Sequence, residues 1–220
     1  ALPNFEREST ITVTGTGSIS RTPDQASINL QIVTSDDVAT TSTSKNNDIY
    51  NALQSKLAAL GVPSSSIKTQ WFNVQFVPHP PKDLPVQQRQ ARYGYITTRA
   101  LLVDVAPIEN VGKAIDAANA AGVSDISNVT FGLKDRRGAY LSALSAAVDD
   151  ARAQANALAN ASGMRIVRVR NITTGSEVRP MLQARALSMA AAPSPPTPTE
   201  IEPSGPIETT ATVTISYQVQ

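Results

Sequence analysis

From Ser9 to Ser20 the chain alternates strictly. Ile11, Val13, Gly15, Gly17 and Ile19 fall on one side, and Thr12, Thr14, Thr16 and Ser18 on the other. A period of two predicts a half-buried β-strand. The two glycines mark either a bulge or a place where another backbone comes close. Arg21-Thr22-Pro23-Asp24 reads as a turn, and Ala26, Ile28, Leu30 and Ile32 alternate as a second strand. Residues 9 to 34 are therefore expected to form a β-hairpin.

The period then changes. Ile49, Leu53, Leu57 and Leu60 recur at helical spacing and predict a helix over about 37–60, closed by Gly61 and Pro63. Its first half, VATTSTSKNN, is a poor helix former and predicts a frayed or late start. Ile67 to Val77 reads as a strand with Phe72, Val74 and Phe76 on one face. A proline-marked loop reaches to about Gln90, and Tyr93 to Val105 forms the returning strand. Pro107 opens a shorter helix with Ile108, Val111, Ile115 and Ala118 inside, ended by Gly122. Ile126 to Leu133 is a strand.

The longest element is expected over 139–163, AYLSALSAAVDDARAQANALANASG. Leu141, Leu144, Val148, Ala151, Ala155 and Leu158 recur by threes and fours and predict its inner face. Ser142, Ser145, Asp149, Arg152 and Asn156 lie opposite, with Asp149 and Arg152 able to pair. So small a seam allows close approach to a sheet. Strands over 165–173 and 207–219 complete an α+β chain, ordered ββαββ and then αβαββ. The stretches LAALGVPSSSIKTQ and ANAAGVSDISNVT echo one another faintly. Two joined halves, 9–105 and 106–220, fit this order within a single 1–220 domain, and so does one continuous mixed sheet.

Composition narrows the chemistry. The 220 residues carry a net charge of +1, no cysteine and a single histidine. Absent cysteine removes disulfides, thiol catalysis and cysteine metal sites, and one histidine leaves little for a zinc site or a His-based triad. A near-neutral charge offers no electrostatic case for nucleic acid. No stretch approaches the ~20 apolar residues of a membrane helix. The segment ALPNFEREST lacks the basic start and apolar core of a signal peptide, as expected either of a protein that never had one or of a mature or trimmed chain.

The individual candidates are modest. TGTG lacks the spacing and the Lys-Ser/Thr of a phosphate loop. His79 sits among prolines and is expected as an exposed loop residue; the nearest carboxylate in sequence is Asp83. Trp71, Phe72, Tyr93 and Tyr95 are expected in core or cross-strand packing, with stacking on a sugar or peptide as the other reading. Asp149 and Asp150 diverge by about 100° on a helix and form no dyad. Asp135-Arg136-Arg137 reads as a charged turn, or else as an anion site at a helix start. Three Asn-X-Ser/Thr matches, at Asn128, Asn160 and Asn171, are expected by chance. The segment 177–206 holds 7 of the 15 prolines yet also Met181, Leu182, Leu187 and Met189. Such a mixture suits an adaptable contact surface. Residues 179–192 are expected to form an arm on a neighbouring subunit, or a lid on their own domain.

Several of these stretches together carry a resemblance. They are Ile11 to Ile19 with Pro23-Asp24-Gln25-Ala26, Leu57 to Gly61 with Ile67-Lys68-Thr69, and Gly94-Tyr95. Further along, Val111-Gly112-Lys113, Val129-Thr130-Phe131, Asp150-Ala151-Arg152 and Ala159 to Gly163 extend it. In order and spacing the chain resembles the SIMPL domain family over about residues 9 to 220. The resemblance implies an α+β fold and a bacterial protein exported to the periplasm or outer-membrane space. Some members are linked to oxidative-stress tolerance, one is an immunogenic antigen, and a channel-like ring of many subunits is known. It implies no catalytic set and no cofactor. The expectation is a non-enzymatic, exported envelope protein that forms a homo-oligomer, with a structural or protective role. The other reading is a monomeric periplasmic module binding a peptide or glycan.

Overall fold

The computed structural model describes residues 9–81, 85, 92–175, 182–183, 185–186 and 198–220. Its elements are β1 (Ser9–Arg21), β2 (Gln25–Asp36), α1 (Ala39–Ala59), β3 (Ile67–Val77), β4 (Gly94–Val105), α2 (Val111–Ala121) and β5 (Asp125–Gly132). They continue with α3 (Arg136–Ala161), β6 (Ile166–Thr174), β7 (Leu182–Gln183), β8 (Arg185–Ala186), β9 (Ile201–Glu202) and β10 (Ile207–Val219). Helices and antiparallel sheets make an α+β protein. Two compact units share the chain. One comprises Ala1–Thr22, Leu133–Met181 and Gly205–Gln220, the other Pro23–Gly132 and Leu182–Ser204.

In the first unit, α3 packs on a sheet ordered β1-β10-β6. The predicted hairpin over 9–34 does not form. β1 pairs along its length with β10, from Ser9↔Val219 to Arg21↔Ile207, while β2 joins the other unit's sheet. Pairing of neighbours in sequence is only a tendency. β10, with every second residue from Ile207 to Val219 buried, is the better complement to the apolar face of β1.

The inner face of α3 also differs from expectation. Its buried residues are Ala139, Ala143, Ala147, Ala151, Ala155 and Ala159, four apart throughout, whereas Leu141 and Leu158 are each 48% exposed. Leu144 and Val148 flank the seam half-buried. The cause lies in β1. A Cβ at Gly15 would stand 2.6 Å from the Ala151 nitrogen and 2.8 Å from its Cβ, and would overlap the Ala147 carbonyl. One at Gly17 would overlap the Ala143 carbonyl and the Ala147 nitrogen. Two glycines facing an alanine row thus bring helix and strand backbones together, and larger residues are forced to the flanks. The close approach that the glycines predict is what they provide.

The second unit is a five-stranded antiparallel sheet, β3-β4-β2-β5-β7, with α1 and α2 over its centre. Ile28, Leu30 and Ile32 of β2, Leu101, Val103 and Val105 of β4, and Phe131 pack there against Leu53, Leu57, Val111 and Ala118. The weak first half of α1 starts at Ala39 without fraying, because tertiary hydrogen bonds replace local propensity. Asn46, fully buried, donates from Nδ2 to the carbonyls of Ile32 (3.1 Å) and Thr97 (3.2 Å). Ser42 Oγ lies 2.8 Å from Thr97 Oγ1, and Thr34 Oγ1 donates to the Ser42 carbonyl at 2.7 Å. Among the described residues no buried side-chain nitrogen or oxygen lacks a partner. A polar first half is therefore a design for joining helix to sheet.

Candidate functional site

Sheet edges distinguish one side of each unit from the other. Along β1, α3 supplies side chains to the outer backbone groups: Asp150 accepts from the Thr16 N–H at 2.9 Å, and Gln154 donates to the Thr14 carbonyl at 3.1 Å. That edge is closed, which is one way proteins avoid unwanted strand pairing. The adjacent Asp149 turns away and meets Arg152 at 3.8 Å, as their spacing predicts.

β3 and β6 are different. β3 is an edge strand whose eleven residues include no charge from Thr69 to Val77. Its helix-side row, Phe72, Val74 and Phe76, extends past the cover of α1, and Phe76 is 57% exposed. Trp71, on the opposite face, is 51% exposed. Trp71 and Phe72, expected in core or cross-strand packing, are therefore not core. A cross-strand contact does occur, with the Phe76 and Tyr95 rings 5.0 Å apart, and beyond the strand ends His79 stacks on Tyr93 at 5.7 Å. In the other unit, α3 covers β1 and β10 but hardly reaches β6, so Val169 and Ile172 (54% exposed) are left bare. There, Arg168 and Arg170 place charge on the edge strand.

Beside β3 lies an arginine held on several sides. Arg99 of β4 donates from Nε to Asn46 Oδ1 at 3.0 Å and from Nη2 to Asn47 Oδ1 at 2.6 Å. Its guanidinium carbon sits 4.3 Å from the centre of the Tyr50 ring and 5.0 Å from that of Phe72. Burial draws its pKa below the ordinary value, and the nearby Tyr50 partly counters this. Asn47 also lines an open groove of about 490 Å³ with Ala39, Thr40, Thr43, Ser44 and Val74. Sequence reasoning missed this cluster. Its one legible sign is that Phe72 and Arg99 become cross-strand neighbours once β3 and β4 are paired in register.

The remaining candidates take ordinary places. His79 is exposed and its Nε2 lies 2.6 Å from Asp37 Oδ1. Among the described residues no group of three His, Asp or Glu could hold a metal ion. Asp135 caps α3, accepting from the Gly138 N–H at 2.8 Å, so its own carboxylate occupies the helix start that an anion would take. Of the proposed arm, Met181, Leu187 and Met189 lie outside the described residues. Leu182 belongs to β7, which pairs with β5, and Arg185–Ala186 pairs with β9.

With the fold in view, the likeness to known proteins is decisive. The sequence pattern of the SIMPL family, described as "Protein of unknown function (DUF541)", matches residues 11–217. The chain belongs to the SIMPL family. SIMPL relatives include the "26 kDa periplasmic immunogenic protein" of Brucella melitensis biotype 1, 27% identical over 203 residues covering 87% of this chain and 81% of the relative. The protein of the same name from Brucella abortus strain S19 is 26% identical over the same shares. These SIMPL relatives place the chain in the periplasm. No helix among the described residues is long and apolar enough to cross a membrane.

Proposed function

We propose that this SIMPL protein is a non-enzymatic envelope protein that self-associates through its open sheet edges, with a structural or stress-protective role. The supporting observation is the contrast between edges. β1 is sealed by Asp150 and Gln154, while β3 presents an uncharged apolar row to solvent. Native proteins guard such edges unless another strand covers them. The bare apolar row of β6 is a complement of similar character. Joining β3 of one copy to β6 of the next is a heterologous contact, which closes into a ring when the rotation permits. The segment carrying Met181, Leu182, Leu187 and Met189 is a further contact in this reading.

Light scattering after gel filtration tests it. The wild type is expected to have the mass of an oligomer, and the Val74→Lys, Phe76→Lys double variant a smaller one. Both substitutions lie on exposed positions, so thermal stability of the fold is expected to change little. Deleting 179–192 tests the arm separately. A wild type that is monomeric at all concentrations overturns self-association and favours the peptide- or glycan-binding module instead.

A further inference from the structure

Arg99 is a described cation that the self-association reading leaves unused. Its guanidinium is fixed by two side-chain amides and two rings, yet it forms no ion pair with any described residue. Lys45 and Lys68, by contrast, each hold a carboxylate, Asp36 at 2.7 Å and Asp104 at 2.9 Å. Two of the five guanidinium N–H bonds go to Asn46 and Asn47, and the others meet no acceptor among the described residues. A positive group drawn out of water ordinarily has a counter-charge, because desolvation otherwise goes uncompensated.

We propose that the Arg99 clamp is a binding site for a carboxylate, with Asn47 and the mainly apolar open groove of Ala39, Thr40, Thr43, Ser44 and Val74 as its surroundings. A planar guanidinium with its orientation already fixed presents parallel N–H donors to a carboxylate and loses little side-chain freedom on binding. The single positive charge, flanked by neutral amides, matches a monoanion; a phosphate dianion asks for a second cation. Val74 and Phe72 offer apolar surface to whatever carries the acid. The carboxylate comes either from a free organic acid or from an acidic side chain of an extended peptide.

The test follows the Arg99 Nε–H resonance of ¹⁵N-labelled full chain during titration with butyrate, with the blocked peptide acetyl-Thr-Val-Glu-Val-Thr-amide, and with inorganic phosphate. A saturating shift is expected with a carboxylate ligand and not with phosphate. Saturation by butyrate identifies free acids as sufficient; saturation by the peptide alone identifies a peptide source. Because Arg99→Gln can disturb folding, Asn47→Asp is the second variant. It sets a carboxylate where an amide oxygen already lies 2.6 Å from Nη2, supplying the missing counter-charge from within. It is expected to keep the native circular dichroism and to weaken binding by about tenfold or more. Binding unchanged in Asn47→Asp, no saturation by either carboxylate at about 50 mM, or preferential binding of phosphate each overturns the proposal.

Discussion

Replacing Gly15 by alanine adds one methyl group where the backbone of α3 already stands. The new Cβ meets the Ala151 nitrogen at 2.6 Å and the Ala151 Cβ at 2.8 Å, where ordinary contact begins at 3.4 Å. No rotamer relieves this, because the main obstacles are main-chain atoms. The helix has to recede by about 1 Å, and a gap of that size forfeits roughly a quarter to a half of each dispersion contact. Six buried alanine methyls line the seam. At about 0.8 kcal/mol for each such group, the lost packing comes to about 1–2.5 kcal/mol. Residual overpacking adds about 1 kcal/mol or more. Gly15→Ala is therefore expected to cost about 2–4 kcal/mol in urea unfolding, read as a lower midpoint. Gly175→Ala, in the same unit, is the control: its Cβ meets only Thr212 atoms at 3.4 and 3.5 Å. If Gly15→Ala unfolds within about 0.5 kcal/mol of wild type, the close seam is not what fixes the helix on the sheet.

Three further outcomes follow from the same structure. Asn46→Ala strips a donor from the Ile32 and Thr97 carbonyls and an acceptor from Arg99, and is expected to cost about 3 kcal/mol in chemical denaturation. Asp135→Ala removes the cap of α3, with an expected loss of about 1 kcal/mol by the same measurement. Asp36 is held below its ordinary carboxyl value of 3.8, first by the Lys45 hydrogen bond and next by the Val38 N–H. A depressed folded pKa means stability present above 3.8 and lost as pH falls through the folded value. The melting-temperature gap between wild type and Asp36→Asn is accordingly expected to narrow from about pH 5 to about pH 3; a gap that stays constant refutes the linkage.

Period and punctuation made the elements legible. β1, β3, β4 and β10 lie where alternation predicts them, and Gly122 ends α2 as expected. Pairing was not legible at β1, because alternation fixes which face is apolar and says nothing about which strand completes the sheet. The seam of α3 was misassigned because a hydrophobicity count favours leucine over alanine, while the Gly15 and Gly17 contacts admit only a methyl group. Asn46 and Ser42 look like helix breakers until their partners on β2 and β4 are known. The candidate site was the least legible part. Phe72, Val74 and Phe76 share a face in any reading, yet whether a helix covers that face depends on where α1 lies. Arg99 acquires meaning only from four neighbours spread over 53 residues.

The pairing of β1 with β10 also sets an order of events in time. Ser9 and Val219 are register partners, and β10 is the middle strand between β1 and β6. Until residues 207–219 leave the ribosome or translocation pore, β1 has no partner strand and the alanine seam has half a floor. The other unit has its six principal elements, β2, α1, β3, β4, α2 and β5, within Pro23–Gly132 and is free to collapse earlier. Contacts this distant in sequence slow folding, because a long loop must close before any of them is rewarded. Maturation is thus timed by the arrival of a single late strand, and a chain halted before it carries an unsatisfied β1 that is exposed to mispairing in the meantime.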